Sequence, residues 1–129
     1  MKIFVLTSCL LIISQLSASA VEYYCVASKI VSSEKEYTKA ELKRGKFATK
    51  LEDLGSEAYL SRCGYVLSEK KVTCDRYKVD RIEYDADAKI KKYYVFQSQF
   101  NFQLFPSLTG IEDNGRGGIQ FSNCKVIAP

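Results

Sequence analysis

The chain has 129 residues, of which 47% are hydrophobic and 26% are charged, and its formal net charge is +4. This length fits one globular domain, and so small a charge excess allows a polyanionic partner without requiring one. The chain contains no histidine. That composition excludes the commonest general base at neutral pH and the usual partner of a serine or cysteine nucleophile.

The N-terminus has the three-part pattern of a secretion signal. Lys2 is a short basic region, residues 3–13 are mostly apolar, and residues 18–20 are small, as at a cleavage site. The apolar run is shorter than the ~20 residues of a membrane-spanning helix. An N-terminal core strand is the alternative. We therefore expect a signal peptide at 1–20 and a secreted domain at 21–129, with no membrane partner. That domain has 18 basic and 15 acidic residues, a net charge of +3.

Four cysteines remain after the leader, and an even number in a short secreted chain predicts disulfide bonds. Count alone leaves three pairings open. A turn at residues 68–69 would place Cys63 opposite Cys74 in a hairpin, within reach of a disulfide. Cys25 is then left to pair with Cys124. Zinc is the competing use of four cysteines, but the chain has no CxxC pair and no histidine. We expect no metal and no cofactor.

The first half of the domain predicts one strand and one helix. Residues 22–31 are rich in β-branched and aromatic side chains, which favours a strand, and residues 36–37 return as a short second strand. Thr38 and Glu41 have the spacing of a capping box. Apolar residues at near-helical spacing then continue the helix as far as a C-cap at Gly55, with a potential break at Gly45.

The second half predicts strands only, at residues 58–67, 71–79, 81–84, 90–105 and 119–124. The longest carries the strongest signal, with a bend near residues 97–101. Its buried face is predicted from alternation to include Tyr94, Phe96, Phe100, Phe102 and Leu104. Residues 112–118 are glycine-rich and predict a surface loop. One early helix followed by four or five strands predicts an α+β fold, with the helix packed on an antiparallel sheet.

Two groups of carboxylates are candidates for acid–base chemistry. The first is Glu83, Asp85 and Asp87, and the second is Glu112 and Asp113. Both lie at predicted strand ends or loops, so we interpret them as solvated turn acids.

Basic and aromatic residues alternate from Lys70 to Tyr94, a pattern that can hold single-stranded nucleic acid by its backbone and bases. The alternative is a charged outer face of the sheet. Candidate RNA contacts are Lys78, Arg81, Glu83, Lys91, Lys92 and Tyr93.

Tyr23-Tyr24-Cys25, directly after the leader, and a domain that Cys124 closes resemble the RNase-like secreted effectors of powdery mildew fungi. Tyr23 and Cys25 match the Tyr-x-Cys motif of that family. The order of elements is similar to that of the small guanyl-specific fungal ribonucleases, which the resemblance implies as the fold.

The resemblance also implies that catalysis has been lost. Residues 81–84 match the strand of the catalytic glutamate, and residues 91–96 match the strand of the arginine. The region of the catalytic histidine holds Ser107, Leu108 and Thr109 instead. A protonated donor to the leaving group is therefore missing, and loss of a general acid typically lowers the rate ~10²–10⁴-fold. The family likeness thus implies a pseudo-ribonuclease.

From these observations we expect a secreted, non-catalytic fungal effector that is translocated into the plant cell. Such a virulence protein would bind a host protein, and an intracellular NLR immune receptor would recognise it as an avirulence protein. Candidate contact segments are residues 68–71, 85–89 and 112–118. The alternatives are a weak ribonuclease that uses Glu83 with Lys91 or Lys92, and an RNA-binding module.

Overall fold

The computed structural model describes residues 20–128, so the predicted leader, apart from Ala20, lies outside the described residues. The described elements are β1 Val21–Ser32, α1 Lys39–Gly45, β2 Ala48–Asp53, β3 Ala58–Val66, β4 Lys71–Lys78, β5 Arg81–Asp85, β6 Ile90–Val95, β7 Phe100–Leu104, β8 Gly110–Asp113 and β9 Gly117–Ala128. No helix in this part of the chain has the length and apolar character needed to cross a membrane.

All nine strands belong to one antiparallel sheet with the order β4-β3-β2-β1-β9-β8-β7-β6-β5. Strands that follow one another in sequence pair with each other, except β4 and β5, which form the two edges of the sheet. In addition, the first strand, β1, pairs with the last strand, β9. The sheet curls into a half-barrel whose edges are joined by Val79 and Asp80. The Val79 amide donates to the Ala58 carbonyl (2.9 Å) and the Asp80 amide to the Tyr94 carbonyl (2.8 Å). The first bond anchors this link between β4 and β5 to β3, and the second anchors it to β6.

The predicted α+β fold is wrong, and so is the ribonuclease-like architecture that the resemblance implied. The protein is nearly all β, and α1 has seven residues with no buried side chain. The capping box is present, because Thr38 Oγ1 accepts from the Glu41 amide and Glu41 Oε1 accepts from the Thr38 amide. Lys46 then adopts a left-handed conformation (φ 46°) that ends the helix. A helix this short and exposed cannot cover a sheet.

The predicted second half of the helix is a central strand, β2. Thr49, Leu51 and Asp53 are all buried at alternate positions, as a strand with one inward face requires. β2 pairs along its full length with both β1 and β3. The sequence predicts a helix here because apolar residues at positions 47, 51 and 54 fit helical spacing. Pairing with a strand on both sides and the burial of Thr49 and Asp53 stabilise a strand instead.

The long predicted strand at 90–105 is a hairpin, β6 and β7, with residues 96–99 in the turn. Val95 lies opposite Phe100, and opposed residues of an antiparallel pair share a face. The inward positions therefore change parity across the turn. Tyr93 and Val95 are buried in β6, whereas Phe96 is 58% exposed. The predicted buried face is right for β7 and wrong for β6.

Other predicted elements agree more closely. The first strand is present, residues 36–37 contribute only an isolated bridge from Glu36 to Val31, and the hairpin register places Cys63 opposite Cys74. The predicted loop at 112–118 contains the end of β8, which was not predicted, and β9 continues to Ala128.

The prediction of disulfide bonds is confirmed, with both pairings as proposed. The Sγ atoms of Cys25 and Cys124 lie 2.17 Å apart, and those of Cys63 and Cys74 lie 2.05 Å apart. The first bond joins β1 to β9 and is fully buried. It joins residues 99 positions apart in sequence. Closing a loop of that length stabilises the folded protein by about 4–5 kcal/mol, because it lowers the entropy of the unfolded chain.

The core fills the concave face of the curled sheet. Its buried members come from most of the strands: Cys25, Leu51, Ala58, Leu60, Val79, Tyr93, Val95, Phe100, Phe102, Leu104, Phe121 and Cys124. Side chains from the two halves meet there, as in the edge-to-face pair of Tyr77 on β4 and Phe100 on β7 (5.2 Å between centroids). This packing leaves a cleft between the halves at one end of the curled sheet.

Candidate functional site

A cleft of about 630 Å³ opens at the end of the concave face nearest α1. Its volume lies within the range of small-molecule sites, ~300–1,000 Å³. Five aromatic side chains line it: Tyr37, Phe47, Tyr65, Tyr77 and Phe121. The cleft therefore combines an apolar interior with polar groups supplied by the neighbouring strands.

An ion pair in the wall of the cleft joins β3 to β8. Arg62 Nη2 donates to Glu112 Oε2 at 2.9 Å. The Glu112 side chain is only 1% exposed, whereas that of Arg62 is 35% exposed. The pair thus connects the two halves of the curled sheet, with the carboxylate buried and the guanidinium partly open to solvent.

Arg62 has a polar residue beside it on each neighbouring strand. Thr49 and Asp75 are its cross-strand partners on β2 and β4, so their side chains share its inward face. The guanidinium also lies over the Phe100 ring, 4.6 Å from the centroid. A cation over an aromatic face is attracted by the ring quadrupole.

Glu112 is incompletely satisfied. Its Oε1 atom is buried and has no hydrogen-bond partner in the described part of the protein. Burial raises the pKa of Glu112, and the opposing effects of Arg62 and of the Asn114 side chain do not cancel the rise. A buried carboxylate with a raised pKa and a free acceptor, in the wall of a cleft, is typical of a functional site.

A second buried carboxylate, Asp53, lies on the same concave face and is fully occupied. Asp53 Oδ2 accepts from Lys91 Nζ and from the Tyr93 hydroxyl, both at 2.6 Å, and Oδ1 accepts from the Gly55 amide at 2.9 Å. Burial alone would raise the pKa of Asp53, but these donors outweigh it and lower the pKa. Burial, followed by the bond to Asp53, raises the pKa of the Tyr93 hydroxyl. This cluster bridges β2 and β6.

The six predicted RNA contacts do not form one surface. Tyr93 is fully buried and, with Lys91, points inward to Asp53. Lys78 is on β4 and pairs with Glu57 at 3.8 Å. The other three lie together on β5 and β6.

Arg81, Glu83 and Lys92 share the outer face of that hairpin, because Glu83 lies opposite Lys92 and Arg81 opposite Tyr94. Arg81 pairs with Glu83 at 2.5 Å, and the Tyr94 hydroxyl donates to Glu83 at 3.1 Å. Lys91 therefore faces away from Glu83, while Lys92 shares its side of the sheet.

The motif residues Tyr23 and Cys25 lie on β1. Cys25 forms the buried disulfide, and Tyr23 packs against the edge of the core. Both therefore have structural roles in the described protein.

Sequence reasoning misjudged Glu112 and missed Arg62. The interpretation of Glu112 as a solvated turn acid is wrong, whereas Asp113 beside it is exposed as expected. Alternation along β8 carried the signal, because Gly110 and Glu112 face inward and Asp113 does not. Asp85 behaves as a turn acid and accepts from the amides of Asp87 and Ala88.

Within residues 20–128, no group of three or more cysteine, aspartate or glutamate side chains is arranged to hold a metal ion. Comparison of the chain with protein-family models, with curated proteins and with solved structures found no match. The assignment of a role therefore rests on the cleft and on the sequence.

Proposed function

We propose that the protein is a secreted, non-catalytic binding protein that uses the cleft beside Arg62 and Glu112 to hold a ligand. The observation that carries this proposal is the buried, half-satisfied Glu112 in the wall of a cleft of ligand size. Clefts that combine aromatic and apolar side chains with convergent polar groups are the usual form of binding sites.

We further propose that it acts as an effector on a plant host. The leader-like N-terminus, the Tyr23-x-Cys25 motif and two disulfides support this role. The all-β fold removes the support that a ribonuclease architecture would have given. In this proposal the protein enters the plant cell, binds a host protein, and is recognised there by an NLR immune receptor.

Expression of residues 21–129 in leaves that carry single candidate receptors tests the effector role. We expect cell death with one receptor and not with the others. A matched variant with Arg62 and Glu112 both changed to alanine shows whether the host response depends on the cleft. An intact, folded protein that produces no response across a broad panel would contradict recognition by a plant receptor.

RNA binding is the second candidate, and the shared outer position of Arg81 and Lys92 favours it. If basic residues contact the phosphate backbone of RNA, the affinity for RNA falls steeply as salt rises from low to physiological concentration. Fluorescence anisotropy with a labelled single-stranded RNA measures this. Binding that is absent, or indifferent to salt, would dismiss the RNA role.

A further inference from the structure

We propose that the cleft recognises a planar aromatic ligand whose edge presents an N–H donor beside a carbonyl acceptor, as in a primary amide or a lactam. This inference rests on the proposed binding function and names the chemistry of its ligand. It is carried by the Arg62–Glu112 ion pair in the cleft wall and by the aromatic side chains that line the same cleft.

The acceptor in the wall is Glu112 Oε1. It is buried and has no hydrogen-bond partner in the described structure, while Oε2 is occupied by Arg62. A buried acceptor without a hydrogen-bond partner is unfavourable, and more so when it is charged. A ligand N–H directed at Oε1 would remove that cost on binding.

The donor in the wall is the Arg62 guanidinium. It has five N–H groups, and its one side-chain hydrogen bond within the described residues is to Glu112. Its side chain is 35% exposed, so other N–H groups remain available to a carbonyl oxygen. Acceptor and donor therefore lie side by side, held together by their own ion pair.

Charge balance at the ion pair itself favours a neutral group there, and Glu34, Asp75 and Arg116 also line the cleft. Arg62 and Glu112 already neutralise each other at 2.9 Å. A carboxylate would meet Glu112, and a cation would meet Arg62, at a partly desolvated position where repulsion is strong. A neutral group with one donor and one acceptor satisfies both residues without adding charge.

The surrounding side chains suit a flat ring. Tyr37 and Phe47 already pack edge to face, with centroids 5.7 Å apart, and Tyr65 and Tyr77 line the same cleft. Aromatic pairs of this kind contribute beyond their area of contact. An aromatic ligand would add to this cluster and place its polar edge at the ion pair.

Access to Oε1 requires a small movement. Glu112 lines the cleft, but protein atoms cover Oε1 itself. Asn114 also lines the cleft and acts on Glu112 without a hydrogen bond to Oε1. Asn114 Oδ1 accepts from the Arg116 amide at 3.0 Å, so the ligand N–H reaches Oε1 by displacing the atoms that cover it while Asn114 stays in place.

Three probes of equal shape separate the alternatives: benzamide, benzoate and benzamidinium. Titration of the disulfide-bonded residues 21–129, followed by amide chemical shifts, should show benzamide bound at the cleft about tenfold more tightly than either charged probe. Benzoate binding tightest would overturn the proposal in favour of an anion site on Arg62. Benzamidinium binding tightest, or no saturable shift with any probe, would also overturn it.

Glu112→Gln should weaken benzamide binding about tenfold, because the acceptor loses its charge. Asp113→Asn is the matched control, since the same change on the exposed side of β8 should leave binding unaltered. If Glu112→Gln does not fold, Arg62→Lys serves instead, and it too should weaken binding because a planar donor is lost. Equal affinity in a folded cleft variant and in the control would overturn the proposal.

The leaf assay and the probe titration fail separately. Receptor-dependent cell death that survives in the Arg62 and Glu112 double variant, together with no benzamide binding, would overturn the ligand class and leave the effector role standing. Specific benzamide binding without any host response would do the reverse.

Discussion

Two buried carboxylates bridge the halves of the curled sheet, and they differ in how they are satisfied. Asp53 has three donors and a lowered pKa, whereas Glu112 has one donor, one empty oxygen and a raised pKa. The difference indicates that Asp53 stabilises the fold, and it supports our proposal that Glu112 binds a ligand. Fully satisfied buried networks fix a fold, while partly satisfied ones are costly and call for an explanation.

Matched amide substitutions should separate the two roles most strongly. Asp53→Asn removes the charge that satisfies Lys91 and Tyr93, and we expect it to lower the free energy of unfolding by about 3 kcal/mol. Glu112→Gln should cost less than about 1 kcal/mol, because its carboxylate is poorly satisfied and its charge is disfavoured by burial. Urea unfolding of each variant measures the difference. Equal losses would remove the distinction.

The next largest loss of stability should come from a substitution at Gly117, which lines the cleft together with Glu112. A Cβ on Gly117 would overlap the Val31 carbonyl oxygen and lie 2.8 Å from Ser32 Cα. We expect Gly117→Ala to lower the free energy of unfolding by about 2 kcal/mol, because the backbone is displaced. The same displacement should weaken the binding of a ligand in the cleft. Gly115→Asn is the control, because Gly115 has open space and a φ of 75° that asparagine tolerates. A Gly117→Ala variant as stable as this control would refute the close packing.

The two carboxylates should give opposite dependences of stability on pH. For Glu112, stability falls as pH rises from about 4.3, the unfolded value, to the raised folded pKa. For Asp53, stability is lost as pH falls from about 3.9 through the lowered folded pKa. Each slope is at most about 1.4 kcal/mol per pH unit. Stability curves of Glu112→Gln and Asp53→Asn should each lack one of these slopes, and a curve unchanged by both substitutions would contradict the assignments.

The smallest expected effect concerns Tyr93. Its hydroxyl is buried and donates to Asp53, so its pKa is raised and it should stay protonated while exposed tyrosines ionise. Ultraviolet titration of the native protein should therefore show one tyrosine fewer ionising by about pH 12 than the unfolded chain shows. Full ionisation before unfolding would mean that the Asp53 cluster is open.

Sequence could predict what is encoded locally. The Thr38–Glu41 capping box and the register that joins Cys63 to Cys74 depend on short spacings, and both are present. The pairing of Cys25 with Cys124 followed once the first pair was assigned. These features need no knowledge of how the sheet closes.

The rest depends on contacts between distant residues. Arg62 and Glu112 are 50 positions apart and meet only because the sheet curls. Two of the inward residues of β2, Thr49 and Asp53, are polar, so the sequence of β2 lacks the alternation of apolar and polar residues that predicts a strand. The helical spacing of its apolar residues is therefore the stronger local signal. Tertiary pairing overrides such propensities.

A carbon-13 NMR titration of the side-chain carboxyl groups compares the two carboxylates in one experiment, with Asp53→Asn and Glu112→Gln to assign their resonances. We expect the pKa of Asp53 to lie below the ordinary range and that of Glu112 to lie above it. Addition of benzamide should then shift the Glu112 resonance and leave that of Asp53 unchanged. A Glu112 carboxyl that titrates at or below its ordinary value, with a resonance that benzamide does not move, would mean that this carboxylate is satisfied within the fold and binds no such ligand.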